Sequence, residues 1–145
     1  MKKYYFIAAG GAIGALLRFE LKTSPSLFHS GDQLLNLALT ILLINLIGCL
    51  ILGMLNAVFS KTDRISNELK LGLTTGLVGA FTTYSTFCKA SINILDAGYL
   101  RIFCYYVAAA IILGLGAVYT GHLIGHYLLH PFGKSLVSRF SYDYN

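Results

Sequence analysis

The chain has 145 residues, of which 56% are apolar and only 12% charged, with a formal net charge of +5. A soluble domain carries roughly 25% charged residues, so the composition excludes an ordinary soluble globular domain and points to lipid as the solvent. The basic residues sit in loops and at segment ends rather than in one patch, which sets aside nucleic-acid binding and assigns them to headgroups and topology.

A bilayer core takes about 20 mostly apolar residues per helix, and four such stretches with short loops use up nearly the whole chain. Segment one spans residues 4–21. Lys2 and Lys3 before it suggest a signal peptide, but Arg18 and Glu20 interrupt the apolar run and no small-residue cleavage site follows, so it reads as a membrane helix. Gly10 and Gly14, four apart, let another helix backbone approach closely. Ser24-Pro25 and Gly31-Asp32 provide turn chemistry. Segment two spans residues 34–59 with no charged side chain; its polar residues are Asn36, Thr40, Asn45 and Asn56.

A polar loop holding Lys61 and Arg64 leads to segment three, residues 69–95. Its middle reads Gly76-Leu77-Val78-Gly79-Ala80-Phe81-Thr82-Thr83-Tyr84-Ser85-Thr86-Phe87. Glycines and four hydroxyl residues at membrane depth predict a broken helix, whose freed backbone groups must be buried in protein or line a polar path. Lys89 follows, near an interface or vestibule. Segment four spans residues 102–129 without Asp, Glu, Lys or Arg, and Pro131 is expected to end it, leaving residues 132–145 as a polar tail. Cys49, Cys88 and Cys104 lie inside apolar segments at no zinc, haem or redox spacing and read as small buried hydrophobes. With four spans, Lys2, Lys3, Lys61, Arg64, Lys70, Lys134 and Arg139 share one side; Lys22, Lys89 and Arg101 share the other, with Arg18 inside segment one. That asymmetry predicts cytoplasmic termini.

Four features taken together, Gly10-Gly11 through Arg18, Asn45-Leu46-Ile47-Gly48, the segment-three run and Tyr105-Tyr106, resemble the Fluc (CrcB) fluoride channel family. The resemblance covers all four spans; the segment-three motif is specific, the others only in combination. It implies an all-α membrane protein of the plasma membrane, with four transmembrane helices and the third broken, forming an antiparallel dimer with two pores. By motif position it implies a structural sodium ion held by the main-chain carbonyls of Gly79 and Thr82. It also maps Asn45, Tyr84 and Phe87 onto the fluoride pathway; Ser85, Thr86 and Tyr106 are expected to join them as hydroxyl bearers, and Arg18 to stand at a pore mouth or bond to the partner.

The chemistry of these residue types agrees. Dehydrating fluoride is costly, so a pore must offer fixed donors such as the Asn45 amide and the Ser85 and Thr86 hydroxyls. Aromatic rings offer positive edges, and attraction must stay weak enough to release the ion. Each residue also has a plainer reading. Asn45 could bond across helices, the hydroxyls could bond back to their own helix, Tyr84 and Phe87 could be packing residues, and Arg18 could snorkel. Two departures from the family stand out: Tyr84 occupies a phenylalanine position, and Ala110 and Gly114 stand where hydroxyls often follow the segment-four tyrosine. With the basic-loop asymmetry, this depleted track leaves two antiparallel partners open, a second copy of the chain or an oppositely oriented paralogue.

Two other readings compete. A small four-helix drug/proton exchanger needs a membrane-embedded carboxylate; Glu20 is the sole candidate, and no tryptophan is present to cage a cation. A non-transporting structural subunit is the other. No nucleophile–base pair or metal set suggests an enzyme. His122, His126 and His130 recur every four residues, on one face near the end of segment four, at a spacing that could hold a metal or simply meet water and headgroups.

Overall fold

The computed structural model describes residues 2–23, 32–60 and 65–141, with side chains as far as Tyr127. The described residues are mostly helical, with no strand among them: α1 (Lys2–Thr23), α2 (Gln33–Phe59), α3 (Asn67–Leu71), a π-helical stretch (Gly72–Val78), α4 (Gly79–Phe81), α5 (Tyr84–Asp96) and α6 (Leu100–Ser141). The expected turn at Ser24-Pro25 and Gly31, and the loop basics Lys61 and Arg64, lie outside the described residues, as do the side chains of His130, Lys134 and Arg139.

Local chemistry sets the helix ends. The Asp32 carboxylate accepts from the Leu34 amide (2.9 Å) and starts α2, and the Ser66 hydroxyl accepts from the Leu69 amide at the start of α3, both N-caps. Gly98 closes α5 at φ 82°. Its amide donates to the Leu95 carbonyl and that of Tyr99 to the Ile94 carbonyl, a glycine-dependent stop that sends α6 straight back beside α5. The end expected at Pro131 is not observed: α6 runs through it to Ser141, so most of the expected tail is helix. A proline removes one i→i−4 bond, and the turns on either side keep theirs.

Two glycine seams hold the helices together. In the first, α1 lies against the π-helical stretch and α4. A Cβ added at Gly14 would stand 2.1 Å from the Leu77 carbonyl oxygen, and one at Gly10 2.2 Å from that of Gly72. In the second, α2 lies against α6, with Gly53 on the Val118 carbonyl and Gly121 on that of Leu50. Such backbone contact is the usual route to helix association in lipid, where apolar area alone gives little drive. Between the seams, Ala38, Ile41, Ala90, Ile94 and Tyr106 form a buried cluster joining α2, α5 and α6. Cys49 and Cys88 are half-buried, whereas Cys104 is exposed on the surface of the chain, not buried as expected.

Among the described residues, α2 and α6, the latter over Leu100–Tyr127, are the helices long and apolar enough to cross a membrane by length and composition alone. Charges interrupt the apolar run of α1 near both ends, and the third stretch is divided into helices each too short to cross by itself.

Candidate functional site

After Phe81 the backbone leaves the helix for two residues. Thr82 has φ −74°, ψ 158° and Thr83 φ −149°, ψ 114°, both extended, and α5 then begins at Tyr84. The hydrogen-bond bookkeeping explains how this is tolerated. In an uninterrupted helix the Thr83 amide would donate to the Gly79 carbonyl and the Thr86 amide to the Thr82 carbonyl. Here the Thr83 amide donates instead to Asn45 Oδ1 (2.8 Å), and the Thr86 amide donates to Thr83 Oγ1 (3.4 Å). The carbonyls of Gly79 and Thr82 are thereby released from their helical donors.

The Asn45 amide grips Thr83 at two points, since its Nδ2 also donates to the Thr83 carbonyl (3.2 Å). One of the two Nδ2 protons is used in this way. One turn later on α2, a Cβ added at Gly48 would stand 2.1 Å from Thr82 Cγ2. The Asn-x-x-Gly motif therefore has a single structural meaning: the asparagine replaces the missing helical partners of Thr83, and the glycine makes room for Thr82. Thr83 Oγ1 is a hub, accepting from the Thr86 amide and hydroxyl and lying 3.5 Å from Ser85 Oγ. The Thr82 hydroxyl bonds back to the Val78 carbonyl (3.0 Å).

Beyond the break, three rings follow one another. Tyr84 and Phe87 have centroids 6.1 Å apart, and Phe87 stacks on Tyr106 at 5.3 Å and 28°. Tyr84 is 80% exposed on the single chain, whereas Tyr106 is 6% exposed. The Tyr106 hydroxyl is buried without a hydrogen-bond partner among the described residues, an arrangement that costs about 1–3 kcal/mol unless an acceptor arrives.

A cavity of about 400 Å³ opens between α2, α4, the break and α6. Asn45, Gly79, Thr82, Thr83, Tyr84 and Phe87 line it around the break, Leu52, Cys49, Ala110, Ile111 and Gly114 form a largely apolar wall, and Thr74 adds a hydroxyl that bonds back to the Lys70 carbonyl. Among the described residues, no charged side chain lines it. Amide, hydroxyl and ring-edge donors without a countercharge can attract a small anion without trapping it. The extended segment also offers freed carbonyls, the ligand type hard cations take.

The sequence-predicted residues divide accordingly. Asn45, Tyr84 and Phe87 meet at the cavity, Tyr106 stands behind Phe87, and Thr86 acts through Thr83. Ser85 is exposed beside that hub. Arg18, half-exposed on α1, does not line the cavity, and neither does exposed Glu20. The sequence reading left out Thr83 and Gly48, and the signal for both was the spacing of Asn45-x-x-Gly48 considered together with the Thr82-Thr83 pair.

Residues 5–122 match the family described as CrcB-like protein, Camphor Resistance (CrcB). Among curated relatives, the fluoride-specific ion channel FluC of Methylobacillus flagellatus is 37% identical over 121 residues, covering 83% of this chain and 92% of the relative. That of Bacteroides fragilis is 35% identical over 131 residues (86% and 97%), and that of Clostridium novyi 34% over 119 residues (82% and 90%).

Proposed function

The chain belongs to the CrcB-like family, and on that premise we propose that it is a fluoride-selective channel subunit, not an enzyme, that lets cytoplasmic fluoride leave the cell passively. The observation that carries this reading is the uncharged cavity at the helix interruption, where the Asn45 amide and the Tyr84 and Phe87 rings meet. Hydrogen fluoride enters cells as a neutral acid and is trapped as the anion. An inside-negative potential then drives each charge outward by about 2.3 kcal/mol per 100 mV, so no coupling machinery is required.

In this reading all four helical stretches cross the plasma membrane, the third as a span interrupted at Thr82–Thr83, and both termini face the cytoplasm. Fluoride passes Asn45, Tyr84 and Phe87, with Tyr106 and Ser85 supplying hydroxyls, Thr86 holding Thr83 in place through its own hydroxyl, and Arg18, outside the cavity, serving a pore mouth or a bond to the partner. The buried Tyr106 hydroxyl supports this, being a donor that lacks an acceptor. Two copies associate in opposite orientations, and the largely exposed Tyr84 is covered in that assembly. The released carbonyls of Gly79 and Thr82 fit a structural sodium ion, since their helical donors have been drawn away to Asn45 and Thr83. When bound, sodium would supply positive charge near the anion path and tie the subunits together.

The apolar far wall and the asymmetric basic loops favour pairing with an oppositely oriented paralogue. The test is efflux from proteoliposomes of the chain expressed alone, followed with a fluoride electrode against chloride. Selective fluoride efflux supports the channel reading, and chloride permeability equal to fluoride overturns it. Robust efflux by the lone product overturns an obligate heterodimer while leaving the channel intact.

A further inference from the structure

The second glycine seam continues beyond the cavity to a feature that fluoride conduction does not use. Past Gly114, the last cavity-lining residue on α6, come His122 and His126. His122 is exposed and His126 half-buried, and their ring centroids are 6.5 Å apart with planes at 40°. We propose that these two imidazoles form a binding site for a divalent transition-metal ion, of the zinc or nickel class, at the end of α6 beside the C-terminal turns of α2.

Residues four apart on a helix lie one above the other, and two histidines at this spacing form the core of helical zinc sites. With Zn–N bonds of about 2.0–2.1 Å, two imidazoles sharing one ion hold their ring centres about 5–6 Å apart. A small side-chain rotation closes the observed separation to that range. Imidazole nitrogens suit zinc, copper and nickel rather than magnesium or calcium.

The backbone beneath the pair is unusually well fixed. A Cβ added at Gly53 would stand 2.9 Å from the His122 amide nitrogen, and one at Gly125 2.8 Å from the Met54 carbonyl oxygen. The helix cannot roll here without backbone collision, so the two side chains keep their common face. Tyr127 stands edge-on to His126 at 5.1 Å and 65° and limits where that ring can turn. Among the described residues no set of three metal-ligating side chains converges. His122 and His126 are the two ligands the described residues supply, and His130 is next in the helical register. His122 lies eight residues beyond Gly114, about 12 Å along the helix. The ion would sit clear of the cavity, and the inference stands independently of the fluoride reading.

The test is calorimetric titration of ZnCl2, and separately NiCl2, into the full chain purified in detergent without a polyhistidine tag. One saturable event per chain is expected, weakened at least about tenfold by His122→Ala and by His126→Ala alike, as loss of one of two nitrogen ligands demands. The more conservative His122→Gln should weaken it equally, guarding against a packing effect of the alanine. Absence of saturable uptake would overturn the site. So would affinity unmoved by either substitution, or affinity lost only in His130→Ala, which would assign the ion to other ligands.

Discussion

The two ends of the cavity share a helix, α2, yet differ in kind. At one end Asn45 stands in for a broken hydrogen-bond ladder, and amide, hydroxyl and ring-edge groups gather around it. One turn on, from Cys49 to Leu52 and across to Ala110, Ile111 and Gly114, the wall offers almost nothing to an anion. The difference shows that the break in the third helical stretch, rather than the cavity as a volume, is where the chain invests its polar groups. The asparagine in this otherwise apolar run has a defined task, replacing partners that Thr83 has lost.

Three substitutions would break or sharpen that contrast. The largest effect is expected from Asn45→Leu. It leaves the Thr83 amide and carbonyl unpaired in a buried setting, at about 1–3 kcal/mol for each unsatisfied group, so fluoride efflux should fall by more than about 100-fold and the thermal midpoint should drop. Efflux preserved in that variant would show that the polar end is scaffolding only. Phe87→Ile removes a ring edge and the stack on Tyr106 while keeping an apolar side chain. Electrode-monitored efflux should fall about tenfold, equivalent to about 1.4 kcal/mol, with the protein still folded by circular dichroism. An unchanged rate would assign Phe87 to packing.

The smallest and most instructive change is Gly114→Ser. A Cβ there meets nothing closer than Cys49 Sγ at 3.9 Å, so the hydroxyl enters without strain and adds a donor to the bare wall. Efflux should rise by a factor of about two to five, a gain of under about 1 kcal/mol. A fall would mean that ions do not travel along that wall.

Much of this architecture was legible in the sequence, and for identifiable reasons. A run such as residues 34–59, apolar and uncharged, has one stable form in lipid, because every backbone group must be satisfied internally; α2 and α6 follow directly. The disturbance in the third stretch announced itself through the density of glycine and hydroxyl residues. Its mechanism did not, since Asn45 and Thr83 are 38 residues apart and neither motif names the other. The π-helical stretch Gly72–Val78 was equally hidden, for a widened turn leaves no period in so short and glycine-rich a run. Pro131 misled in the opposite direction: a local breaker says nothing about the strength of the ladder on either side.

The extended pair Thr82–Thr83 also bears on how the chain folds. The amide and the carbonyl of Thr83 both rely on one side chain 38 residues earlier. The interruption therefore keeps its hydrogen bonds only while α2 lies alongside it, so two distant parts of the chain have to find each other before either backbone group is satisfied.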